Sequence, residues 1–120
     1  MTRNVILPEK SKGQYKAYHF APAVRHNDLI ICSGQIGAGE KGIPASAEEE
    51  FRNAWNGIGA VLKEAGVGYE DIIEYTSFHV GLQEHMRAFM KVRDEFISEP
   101  WPAWTAIGCT ELAIPGARAE

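Results

Sequence analysis

The sequence is poor in the features that mark most specialised classes. Only two cysteines occur in 120 residues, Cys32 and Cys109, far apart and without a Cys-x-x-Cys pair. That excludes a disulfide scaffold and reads as a reducing compartment with two buried thiols. The four histidines, His19, His26, His79 and His85, form no helical i,i+4 pair and complete no zinc pattern with the cysteines. No apolar run approaches the ~20 residues of a membrane helix. Residues 1–14 carry Arg3, Glu9, Lys10 and Lys12 and lack the apolar stretch of a secretion signal. A soluble, cytoplasmic protein is the simplest expectation. Basic clusters are also missing. Lys plus Arg is 12 against 16 for Asp plus Glu, a net charge of −4, so nucleic acid is a poor candidate partner. No Gly-x-Ser-x-Gly motif is present, and the glycines of 37–42 lack the preceding strand and following helix of a phosphate loop. Neither a cofactor nor a metal is expected.

What is present suits one α+β domain spanning residues 1–120, with 1–14 as a loosely held lead-in. Apolar residues make up 45% of the chain, enough for a core. Tyr15–Phe20 reads as a first short strand. Leu29–Cys32 is a continuous apolar run and reads as a buried strand. Gly34, in Ser33-Gly34-Gln35, marks a bulge or a close backbone approach, or else a simple kink. Ser46-x-x-Glu49 is a capping box opening a helix. Phe51, Trp55, Ile58, Val61 and Leu62 recur along it at helical spacing, and Gly66 ends it. Gly57 and Gly59 inside this helix each cost about 1 kcal/mol against alanine and imply close packing on their face. The triplet Glu48-Glu49-Glu50 lies in the first turn, where the helix dipole accounts for it. A strand follows over 71–81, then a second helix over 83–97. The predicted architecture is a mixed sheet with two helices on one face.

After Pro100-Trp101-Pro102 the chain must leave extended. Trp104, Ala106, Gly108, Thr110 and Leu112 would then share one strand face, and Thr105, Ile107, Cys109 and Glu111 the other. Trp104 beside small residues is either a pocket edge or a packing residue.

The same stretch, Pro102-Ala-Trp-Thr-Ala-Ile-Gly-Cys-Thr-Glu-Leu-Ala-Ile-Pro-Gly-Ala-Arg-Ala-Glu120, resembles the C-terminal signature of the RidA/YjgF family of reactive-intermediate deaminases. The usual form is Pro-Ala-Arg-Thr-x-x-Gly-x-x-x-Leu-x-x-Pro-Gly-Ala. Two more blocks agree in family order. One is Phe20–Arg25 with Asp28–Ile36; the other is Ala65-Gly66 with Asp71–Ile73 and Thr76–Val80. The resemblance runs from about Tyr18 to Glu120 and is strongest to the YjgH-like branch, which also reads Trp-Thr-Ala.

The resemblance implies a chorismate-mutase-like fold, a homotrimer, and ligand clefts between subunits. It implies hydrolysis of enamines and imines such as 2-aminoacrylate to a keto acid and ammonia. Glu120 matches the glutamate that positions water. Ser33 and Gly34 match the bend lining the cleft, and Thr105 and Ala106 follow the signature position. Phe20 stands where the family has a tyrosine. Trp104 stands at the carboxylate-binding arginine, and an indole cannot replace a forked cation. Arg118 offers a substitute cation or a Glu-paired surface arginine. The family's second-helix asparagine falls at Arg93 or Asp94. With the anchor lost, a carboxylated imine is expected to be a poor substrate, and an aromatic ligand stacked on Trp104 a better one. Other functions left open are a small-metabolite-binding module without turnover and, more weakly, an endoribonuclease or translation inhibitor.

Overall fold

Ser46 stops the preceding loop by accepting the Glu49 backbone N–H on its Oγ at 3.2 Å, and helix α2 (Ala47–Glu64) starts there. Its spacing puts Phe51, Trp55, Val61 and Leu62 inside, as predicted. It ends at Gly66, whose φ of 80° only glycine adopts without cost. The amides of Gly66 and Val67 close back on Lys63 and Leu62 at 3.0 Å each. Gly59 presents bare backbone to Tyr69; a Cβ there would lie 2.1 Å from the phenol oxygen.

This is a computed structural model describing residues 3–120. It is a mixed α+β fold with three helices and two sheets. Strands β1 (Asn4–Ile6), β2 (Ala23–His26) and β3 (Leu29–Cys32) form an antiparallel sheet in that order. Strands β4 (Glu74–His79) and β5 (Ala103–Gly108) form a parallel pair, joined by helix α3 (Leu82–Arg93). Parallel pairing needs such a crossover. Among the described residues β5 pairs with β4 alone, so its other edge is open. Residues 118–120 run antiparallel to β4: the amides of Phe78 and Glu120 each bond the other's carbonyl at 2.9 Å. The single predicted sheet therefore appears as two ladders, because the segment beside β4 makes only an isolated bridge, His79 with Ala119.

Helices α2 and α3 cover one side. Phe51, Trp55, Phe89, Val92, Ile97 and Ala119 form the larger core cluster. Ile6, Ala23 and Val61 form a smaller one beneath the antiparallel sheet.

Four local expectations are corrected. Tyr15–Phe20 is not a strand: helix α1 spans Lys12–Tyr18 and buries no residue, so it carries no apolar stripe for a pattern to reveal. Residues 4–6 form β1 within the expected lead-in. Leu29–Cys32 is a strand, but only Ile30 packs inward; Leu29 and Ile31 are 54% and 65% exposed. Cys32 is likewise exposed and Cys109 half-buried, so neither is the buried thiol expected.

Candidate functional site

Strand alternation sorts the candidate residues onto two faces. Glu120 is the hydrogen-bonded partner of Phe78, and Phe78 is the register partner of Ile107. The three side chains therefore share one face, with Thr76 and Thr105 two residues along it. This face looks away from the helices: Phe78 and Ile107 are 39% and 41% exposed. Trp104 and Ala106 point to the other face with Tyr75, Ser77 and His79, under the helices.

The structure brings Glu120 onto the bend that carries Ser33 and Gly34. The Glu120 carboxylate lies directly over Gly34; a Cβ at Gly34 would sit 2.6 Å from Oε2. A side chain at position 34 would displace the carboxylate, so the glycine serves a close approach. Ser33 donates its hydroxyl to the Ala21 carbonyl at 2.6 Å, which ties the bend to the residue after Phe20. Phe20 is 41% exposed and edges a surface hollow of about 490 Å³ with Arg3, Val5, Tyr15, Lys16 and His19.

Trp104 is a packing residue. Its ring lies nearly parallel to Tyr75, with centroids 5.8 Å apart, and to Phe89 at 6.0 Å. Its indole N–H donates to Ser77 Oγ at 2.8 Å. Ser77 Oγ also meets His79 Nε2 at 2.7 Å. His79 is fully buried, its Nδ1 has no partner among the described residues, and burial, helped by His85, holds its pKa below the usual value. The expectation that Trp104 offers its face to a ligand, with Phe20 as a second ring, does not fit this geometry. Phe20 lies in the antiparallel sheet's approach, while the indole is already occupied by its own chain.

Over that indole stands Arg93, with Cζ 5.1 Å from the ring centroid. Its Nη1 donates to the Tyr75 hydroxyl at 3.1 Å and its Nε to Asp94 Oδ1 at 2.6 Å.

Arg118 is not available to a ligand. Its Nη1 donates to Glu50 Oε1 at 2.6 Å and to the Pro44 carbonyl at 3.1 Å, and its Nη2 to the Ala45 carbonyl at 2.8 Å. Glu50 is wholly buried and also accepts the Arg118 backbone N–H at 2.7 Å. The helix dipole is therefore not a sufficient account of Glu50. A buried carboxylate needs a cation and donors, and this one clamps the C-terminal segment that carries Glu120. No group of three or more His, Cys, Asp or Glu side chains among the described residues is disposed to hold a metal ion.

The comparisons with known proteins agree with this fold. The family model described as Endoribonuclease L-PSP matches residues 12–120. The RutC family protein YjgH of Escherichia coli (strain K12) is 35% identical over 113 residues, covering 92% of this chain and 86% of that protein. A solved structure of protein YjgH superposes with a TM-score of 0.87 at 34% identity, over 99% of this chain and 92% of that one. RidA from the Antarctic bacterium Psychrobacter sp. superposes with a TM-score of 0.76 at 20% identity, over 83% of this chain and 81% of its own, a likeness of fold alone.

Proposed function

Because the chain belongs to the Endoribonuclease L-PSP family, which also carries the YjgF and RidA names, we propose that it hydrolyses a reactive imine or enamine metabolite. The site lies in clefts completed by neighbouring copies of a homotrimer. What supports this reading is the convergence of Glu120, Gly34, Ser33 and the Phe20–Ala21 step, residues about a hundred positions apart in sequence. In the reaction Glu120 orients a water whose oxygen bonds to the imine carbon. The C=N electron pair moves to nitrogen, which takes a proton from that water through the carboxylate. The carboxylate then passes the hydroxyl proton to the same nitrogen, the C–N bond breaks as the C=O bond forms, and ammonia leaves. This is positioning and proton transfer, for which one carboxylate in a shaped cleft suffices.

The trimer is supported by apolar side chains on the side turned from the helices: Leu29, Ile31, Phe78 and Ile107. A patch of that kind marks an interaction surface. An RNA-cleaving activity, which the family description names, is disfavoured by the net charge of −4.

The test is a product assay on imines generated in situ by an amino-acid oxidase, with Glu120→Ala beside the wild type. Turnover abolished by the substitution supports the hydrolase. Saturable binding without turnover of any imine would replace it with a binding module.

A further inference from the structure

We propose that one turn of α2, Glu50 to Asn53, is the common seat of both halves of the site, so that Glu50, Asn53 and Gly37 are positioning residues that set where Glu120 stands over Gly34. The chemistry this seat serves rests on the hydrolase reading; the mechanical link stands without it.

The seat is not part of the helix's apolar stripe. Glu50 and Asn53 are one turn apart, and Gly57 continues their row, whereas Phe51, Trp55 and Leu62 are buried in the core. The bend that follows Gly34 is laid along that row. Gly37 is buried against the helix backbone: a Cβ there would lie 1.7 Å from the Glu50 carbonyl oxygen and 3.0 Å from the Ala54 amide nitrogen. Both atoms belong to helical main chain, so neither can swing aside. Asn53 Nδ2 donates to the Gly37 carbonyl at 3.2 Å. Two residues earlier, Gln35 lies over Gly57, its Oε1 2.5 Å from where a Cβ would stand. The bend therefore rests on α2 through its own backbone.

The side chain of Glu50 holds the other half. Its carboxylate accepts the Arg118 backbone N–H at 2.7 Å and that of Ala119 at 3.4 Å, besides the Arg118 guanidinium. Ala119 is buried and adjoins Glu120. One residue thus fixes residues 33–37 by its carbonyl and residues 118–120 by its carboxylate. The two segments meet again where the Glu120 carboxylate lies over Gly34, which closes a ring from Glu50 through Gly37, Gly34, Glu120 and Ala119 back to Glu50. In a close-packed ring a shift at one link is passed to the next. Pushing the bend off the helix at Gly37 moves Gly34 against the carboxylate, and a misplacement of about 1 Å in a reacting geometry costs about 100-fold in rate.

The experiment compares wild type, Gly37→Ala, Asn53→Ala and Gly59→Ala as full chains. Gly59→Ala is the structural control: it presses Tyr69 and not the bend. Melting curves confirm folding, and Asn53→Ala carries the test if Gly37→Ala does not fold. Turnover of an imine generated in situ reads catalysis, and hydrogen exchange at the Arg118, Ala119 and Glu120 amides, relative to amides of α3, reads the link. Gly37→Ala should lower kcat by about 10- to 100-fold with KM within about threefold of wild type. Asn53→Ala, which loses one hydrogen bond, should lower kcat by about 3- to 10-fold. Both should speed exchange at residues 118–120, although neither substitution touches that segment. Gly59→Ala should lower the melting midpoint yet leave kcat and the relative exchange within about twofold of wild type. The proposal is overturned if kcat in the folded Gly37 and Asn53 variants stays at the wild-type value or falls no further than in Gly59→Ala. It is equally overturned if exchange at residues 118–120 does not respond. Turnover that needs Glu120 but ignores both seat variants sinks this inference alone. A response in exchange without hydrolysis of any imine by wild type sinks the hydrolase reading alone.

Discussion

Two packed side chains, one buried and one half-buried, decide what happens at single positions. His79 is sealed beneath Phe89, 4.7 Å between ring centroids, where burial disfavours its charged form. Its folded pKa lies below the value of 6.5 it has when unfolded. The unfolded chain thus binds the extra proton first as pH falls. Stability from this group is complete above about pH 6.5 and is lost below it, with a limiting slope of about 1.4 kcal/mol per pH unit. Melting midpoints measured from pH 8 to pH 5 should decline, and His79→Asn should flatten the decline. Trp104 makes the second case. Trp104→Arg removes a large packed ring and places a cation under Arg93 and against Ser77. We expect a loss of about 3 kcal/mol or more in denaturant unfolding. Trp104→Phe, which loses the hydrogen bond to Ser77 and part of the ring but keeps the aromatic packing, should cost less, about 1–2 kcal/mol. Equal stability of all three proteins would mean that the indole is not a packing residue.

Among the elements, the C-terminal segment depends on the first turn of α2. Arg118→Ala leaves the Glu50 carboxylate buried without its cation, which costs about 3–5 kcal/mol. Imine turnover should fall with it, since residues 118–120 carry Glu120; a variant with wild-type stability would refute the clamp. This clamp also shows where sequence reading ended. Helix α2 was legible because Ser46, Phe51, Trp55 and Gly66 encode start, period and stop within one stretch. Glu120 and Gly34 were legible through family motifs. The ion pair between positions 50 and 118 was not, because nothing local distinguishes Glu50 from Glu48 and Glu49 until the chain returns. Helix α1 and strand β1 were missed for another reason: α1 buries nothing and β1 little beyond Ile6, so no periodic pattern arises.

For the molecule as a whole, light scattering should give about three chains per particle. Ile31→Glu, on the exposed side of β3, should shift the particle toward single chains. A monomeric wild type at micromolar concentration would remove the shared cleft and with it the site. The open edge of β5 has a further consequence during synthesis. A chain that has folded but not yet met its partners displays a row of unsatisfied backbone donors and acceptors, and any extended segment nearby can add to it. Aggregation at that edge would then compete with the proposed assembly through the apolar face. The outcome turns on how fast newly made copies find one another, so soluble yield should depend on expression rate and on the temperature at which the cells are grown.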